Sequence, residues 1–296
     1  MTQFLELLAN GLSLGALYAL IAMGFVIIFK ASEVVSFMHG SLLFLGAYLI
    51  ARLHETLGFW GAVAVGIGGT ALLALLVERL LINRLRGAPV ISLAILTIGV
   101  DILLSTELTR RIGSDILNVG HPWGGDVLRV GGVGITVNRA LAMAVAAVLI
   151  LLFFAAFRFS DWGVAMRAAA EDGEAAALMG IRLGRVSATA WTVAGVLAAV
   201  AGLFLVGSPT PGVGPEVGSV ALAALPAAIL GGLDSTEGAL VGGLLIGVTS
   251  SLVAGYQDNL LFLGRGFGDV VPYVVMLAVL LVRPSGLFGT RELTRV

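Results

Sequence analysis

Long apolar runs constrain this chain more than any other feature. A bilayer core takes about 20 apolar residues per crossing helix. Runs close to that length occur at 7–29, 34–51, 58–77, 88–106, 140–157, 187–207, 239–254 and 270–282, and a ninth, 218–232, is short and interrupted by Pro226. Lipid offers no hydrogen-bond partner to bare backbone, so such runs span as helices. Composition agrees, because 58% hydrophobic and 12% charged residues, with a mean hydropathy of +1.05, exceed what a water-soluble core of 296 residues can hide. The expected fold is all-α: a polytopic transmembrane helical bundle of about eight to nine membrane segments, in one domain over residues 1–296. The start carries Glu6 but neither a cationic leader nor a small-residue cleavage site, so a retained first helix is expected. Near Pro226 the alternative to a full crossing is a broken or re-entrant helix, which membranes accept where it lines a protein cavity.

Charge is nearly balanced, 17 Lys and Arg against 18 Asp and Glu, which leaves no basic face for nucleic acid. What matters is where the cations sit, since short cytoplasmic loops are rich in them. Placing the polar loop at about 158–186 inside puts Lys30, Arg79, Arg84, Arg86, Arg158, Arg167, Arg182, Arg185, Arg283, Arg291 and Arg295 there. Eleven cations then lie inside and six outside. That arrangement requires nine crossings, an outside N-terminus and an inside C-terminus. A re-entrant Pro226 segment would invert the C-terminal assignments.

The loop itself reads "RAAAEDGEAAALMGI" from Arg167 to Ile181. Asp172 suits a helix N-cap, Glu171 and Glu174 suit the positive N-terminal end, Ala175 to Met179 supply helix formers with an apolar face, and Gly180 suits the stop. Two helical turns are not stable alone in water. The segment therefore either lies in a groove of its own chain or of a partner, or rests on the membrane surface.

Several single residues stand out at membrane depth. Asp101, inside an apolar run, costs about 2.5 to 3.5 kcal/mol on insertion scales unless it meets a cavity or partner; an interhelical hydrogen bond and a contact with solute are both open to it. Ser36, Phe37 and His39 open the second run, Tyr18 lies on the first, and Pro226 interrupts the short run 218–232. Tyr18 and Phe37 are candidate apolar walls for a solute, and Ser36 and His39 candidate partners for its polar end. For His39 a helix-packing hydrogen bond is an equal reading. No catalytic set is expected. Gly266-Phe267-Gly268-Asp269 with Asp101 would be needed for an intramembrane aspartyl protease, but Asp269 sits at the edge of a polar loop and Asp101 lacks the preceding Tyr of such enzymes. His39, His54 and His121 lack metal-ligand spacing, so no metal site is expected. The only lysine, Lys30, is followed by Ala31, so a phosphate-binding loop is missing. Cysteine is absent, which excludes disulfides.

The loop pattern, Arg-Ala, acids, Glu-Ala-Ala, Leu and Gly-Ile ahead of a helix, resembles the segment by which ABC importer permeases dock on their ATPase subunits. Three further stretches resemble one branch, the membrane subunits of the branched-chain amino acid importers. They are GLSLGALYALIAMGFVIIFKASEVVSFMHGSLLFLGAYL with its core Phe37, His39 and Gly40, then ALPAAILGGLDSTEGALVGGLLIG, and last LLVRPSGLFG. Together they run in order over nearly the whole chain. One departure concerns Ser36-Phe37-Met38-His39-Gly40, where that family often has an Asn before Phe, so the solute is not carried over with the resemblance.

The resemblance implies a non-enzymatic permease subunit of the bacterial or archaeal cytoplasmic membrane. Arg167, Glu171, Asp172, Glu174, Ala175, Ala176, Leu178 and Gly180 would then form the ATPase-coupling loop. It implies a second, related permease, two ATPase subunits holding ATP and Mg, an extracytoplasmic solute-binding protein and no cofactor in this chain. The solute would be a small polar molecule such as a branched-chain amino acid. The reading from another class is an ion-gradient-driven secondary transporter or channel, which would call for paired intramembrane charges. Apart from Asp101, the runs are almost free of charge.

Overall fold

The chain is seen here as a computed structural model that describes residues 2–115, 117–123, 125–130, 132–206, 212–263 and 266–289. Gly207 and the cations Arg265, Arg291 and Arg295 lie outside the described residues. The helices are α1 (Thr2–Ser32), α2 (His39–Val77), α3 (Val90–Ile112), α4 (Val137–Phe159), α5 (Asp161–Glu171), α6 (Gly173–Leu178), α7 (Leu183–Leu205), α8 (Glu216–Gly231), α9 (Thr236–Gly255) and α10 (Phe267–Val282). A two-stranded antiparallel hairpin, β1 (Val127–Val130) and β2 (Val133–Thr136), precedes α4, with Val127 opposite Thr136 and Val130 opposite Val133. Among the described residues, six helices are long and apolar enough to cross a membrane: α1, α2 with its continuation to Leu85, α3, α4, α7 and α9. α8 and α10 are shorter apolar helices.

α2 is not one rod. Gly58, at φ 70° and ψ 166°, leaves the helical region, a conformation that suits a residue without a Cβ. Limbs 39–57 and 59–77 turn back on each other there. In a straight helix residues 50 and 66 would be about 24 Å apart, yet a methyl on Gly66 would collide with Ile50, and one on Gly46 would lie 3.3 Å from Thr70 Oγ1. The two runs 34–51 and 58–77 are thus an antiparallel pair. α7 packs into that pair at closest range through small residues, since a methyl on Gly46 would also come 2.6 Å from Ala199 Cα. α1 and α9 cross in the same way, with a methyl on Gly15 placed 2.9 Å from Leu244 Cα. Small residues permit this approach where lipid supplies no hydrophobic drive.

The bundle has two distinct ends. At one, the β-hairpin covers the starts of α1 and α4, Ser13 Oγ donates to the Arg139 carbonyl at 3.2 Å, and Asn138 Nδ2 donates to the Phe204 carbonyl at the close of α7 at 3.2 Å. At the other, Lys30 Nζ donates to the Asp234 carbonyl at 2.7 Å and stands over the Phe157 ring. The Leu287 and Phe288 amides, just past α10, donate there to the carbonyls of Leu230 and Gly231. α7 therefore finishes at the hairpin end and α8 finishes at the Lys30 end.

Irregular backbone does not fall at Pro226, in keeping with the full helix and against the broken alternative. Pro226 lies inside a continuous α8 and is buried, so it makes no break. A proline is accepted there because its helix is packed within the bundle. The irregular backbone is instead at 33–38, of which 34–38 belong to the apolar run expected to be helical. α1 stops at Ser32, Glu33 takes a positive φ of 55°, and α2 begins only at His39. Val34, Ser36 and Met38 are fully buried while Val35 and Phe37 are half-buried, and the segment is a buried loop that ends in a turn at Phe37 and Met38.

Candidate functional site

The late start of α2 creates a local problem with a visible solution. The first turn of a helix has amides without intrahelical partners, and here that turn is buried. α3 supplies acceptors on both sides of this start: Asp101 Oδ1 takes the Ser41 amide of the first turn and Thr97 Oγ1 takes the Phe37 amide just ahead of it, each at 3.1 Å. Thr97 and Asp101 are four residues apart, hence on one face of α3. A carboxylate at a helix N-terminus also meets the positive end of the helix dipole. Asp101 is thus an interhelical hydrogen-bonding residue, the first of the two readings open to it.

It also faces a cavity. About 630 Å³ of space lies between the first turn of α2, the later half of α3 and the beginning of α8. Phe37, Phe44 and Leu222 give it apolar walls, and Asp101, Ser105 and Arg110 give it polar ones. α2 and α8 meet at its edge glycine to glycine, where a methyl on Gly40 would come 2.7 Å from the Gly218 carbonyl oxygen. Ser105 and Thr109 hydroxyls donate to the carbonyls four residues back, at 2.7 and 2.8 Å, which leaves their lone pairs to the cavity. A pocket of this size with aromatic walls and few polar groups suits a small solute with one polar end.

Of the sequence candidates for a solute path, Phe37 and Asp101 line this cavity. Ser36, His39, Tyr18 and Pro226 do not. His39 is fully buried between Gly24 and Phe25, with its ring centroid 4.7 Å from that of Phe25 and no hydrogen-bond partner for either nitrogen among the described residues. The expected packing hydrogen bond is therefore not made there, and its contact is with a ring. Tyr18 belongs to the α1 core. Ser41, Phe44, Ser105, Thr109, Arg110 and Ser219 are cavity residues the sequence reading passed over. A signal was present, because Asp101, Ser105 and Thr109 recur every four residues and so share one face of α3.

The second site is the polar loop, which folds into α5 and α6 at the Lys30 end. Ser160 Oγ accepts the Gly163 amide at 3.1 Å and caps α5, and Asp172 Oδ1 accepts the Ala175 amide at 2.9 Å and caps α6. α6 closes with a Schellman pair, Ile181 amide to Ala176 carbonyl and Gly180 amide to Ala177 carbonyl, both 3.0 Å, with Gly180 at φ 89°. The caps at Asp172 and Gly180 are as read from the sequence. The apolar face is not. Ala176 is turned inward at 5% exposure, while Leu178 and Met179 stand out at 89% and 84%. Glu171, Glu174 and Ala175 are exposed beside them. Arg167, an exposed residue, donates from its guanidinium to the Phe157 carbonyl and covers that ring, fastening α5 to the end of α4.

Helical limbs crossing between two chemically different ends, a polar cavity at a buried helix start and a capped, apolar-tipped loop define a membrane transport subunit. Residues 7–280 match the model of the branched-chain amino acid transport system permease component family, and the chain belongs to that family. It is 31% identical over 309 residues to the Escherichia coli (strain K12) high-affinity branched-chain amino acid transport system permease protein LivH, covering 99% of this chain and 98% of that one. It is 30% identical over 313 residues to the Pseudomonas aeruginosa permease protein BraD, with the same coverage. Among solved structures, PsaBC from Streptococcus pneumoniae in complex with Fab matches at a TM-score of 0.50 and 18% identity, over 92% of this chain and 89% of that chain, a likeness of fold alone.

Proposed function

We propose that this permease component carries a branched-chain amino acid, or a similar small polar solute, across a bacterial or archaeal cytoplasmic membrane. It does so beside a second permease, with two ATPase subunits binding ATP and Mg on the α5–α6 side and a solute-binding protein on the β-hairpin side. Counting α2 as two limbs, the eight apolar helices make nine crossings, and the cation-rich Lys30 end faces the cytoplasm. The observation that carries the reading is α6 itself. Nothing in the bundle requires a short helix, capped at both ends, to hold two large apolar side chains in the open at a charged end of the molecule, whereas a groove on an ATPase subunit would bury them.

In this reading solute passes by the cavity between α2, α3 and α8. Asp101 draws a positively charged end, Arg110 a carboxylate, and Phe37, Phe44 and Leu222 enclose an aliphatic side chain. The test is uptake of radiolabelled leucine by proteoliposomes holding the chain with its neighbouring transport subunits. Uptake is expected only with binding protein outside and ATP inside. Uptake driven by a proton or sodium gradient without ATP would overturn the reading.

A further inference from the structure

A second groove lies on the other side of α3, and the proposed transport path does not use it. It holds about 420 Å³ between both limbs of α2 and α3. Leucines of all three elements wall it, among them Leu72, Leu76 and Leu104, and its end toward the β-hairpin carries Tyr48, Glu107 and Arg111. Its floor is at Gly69, where a methyl would come 2.9 Å from Leu49 Cδ1. Seven residues of helix separate Leu104 from Arg111, about 10 Å, so the groove runs along the bundle axis with an apolar length and a cationic head.

The charges at that head are unequal. Glu107 takes Arg110 at 2.9 and 3.0 Å and Arg111 Nε at 2.7 Å. One carboxylate thus serves two guanidiniums, which leaves a net positive charge and the remaining Arg111 donors turned outward on a side chain 60% exposed. α3 carries large apolar side chains outward on the isolated chain, with Ile102 at 58% and Leu103 at 74% exposure.

We propose that this groove binds a glycerophospholipid, its phosphate on Arg111 and one acyl chain along the leucines. The occupant is a membrane component because the groove opens on an apolar helix face, and a phosphodiester complements the excess guanidinium. An acyl chain fills a channel of leucines with no polar atom left over.

The experiment is native mass spectrometry of the full chain released from detergent, with dioleoylphosphatidylglycerol as the probe. One lipid is expected to stay bound at collision energies that strip the rest. Arg111→Gln, at an exposed position, and Leu72→Trp, which fills the groove, should each lower the retained fraction at least tenfold. Leu103→Trp, on the open face of α3, should leave it unchanged. Excess glycerol 3-phosphate should not displace the lipid; displacement would show a headgroup-only anion site and overturn the proposal. Equal retention by parent, Arg111→Gln and Leu72→Trp would overturn it too. So would efficient disulfide cross-linking of Leu72→Cys between two copies in native membranes, which would make the groove a protein interface.

Discussion

Asp101 illustrates how a carboxylate is kept within an apolar helix: one oxygen ties α3 to the Ser41 amide, while the side chain borders the cavity. The two roles separate by substitution. Asp101→Ala leaves a buried amide without a partner, which costs about 1 to 3 kcal/mol. It should lower the thermal unfolding midpoint of the purified chain as well as uptake. Asp101→Asn keeps an acceptor for Ser41, so stability should return while the uptake rate stays low; a parent-like rate would show that the charge is not used. Gly40 makes a purely steric case. A methyl there meets backbone, the Gly218 carbonyl, which cannot rotate away as a side chain can. Gly40→Ala should therefore cut uptake severalfold per inserted molecule. Gly68→Ala, with nothing within 4 Å of the added methyl, should transport like the parent.

At the scale of elements, α6 is specified by its own sequence and aimed by its neighbours. Its Asp172 cap is worth about 1 kcal/mol, and Gly180 spares about 1 to 2 kcal/mol of left-handed strain. Asp172→Ala and Gly180→Ala should loosen the loop and lower solute-stimulated ATP hydrolysis by the assembled transporter partially. Leu178→Asp keeps both caps and charges the exposed tip. It should abolish that stimulation while leaving membrane insertion and basal hydrolysis unchanged, and full stimulation in Leu178→Asp would remove α6 from the coupling route. Ala176→Asp would be a poor test of docking, because its side chain packs against its own chain. Arg167 belongs with α4 for a similar reason, and its replacement should act on the anchoring of α5.

For the whole molecule, the absence of cysteine makes topology directly measurable. Glu55, beside the Gly58 reversal, and Met179, on the α6 tip, are both exposed and lie toward opposite ends of the bundle. In intact cells a membrane-impermeant maleimide should label Glu55→Cys at once and Met179→Cys only after permeabilisation. Labelling of both from outside would contradict nine crossings. The same orientation sets the described cations Lys30, Arg158, Arg182, Arg185 and Arg283 at the cytoplasmic end, and Arg110 and Arg139 at the other.

The apolar runs, the separation of 34–51 from 58–77 and the caps of α6 were legible in the sequence because each depends on residues within a few positions of one another. Lipid exclusion acts on run length, and an N-cap or a left-handed stop acts over three or four residues. The non-helical stretch 34–38 is not legible in the sequence because hydropathy does not distinguish a buried loop from a buried helix; both are apolar. Whether helix continued through Pro226 or broke there was left open as two alternatives, because a proline's effect depends on the packing around it. Only the tertiary structure set Gly40 against Gly218, turned Ala176 inward and Leu178 outward, and brought Asp101 to the Ser41 amide sixty residues away in the chain. Those pairings follow from how closely whole helices approach, which depends on every side chain between them and is not carried by any one stretch of sequence.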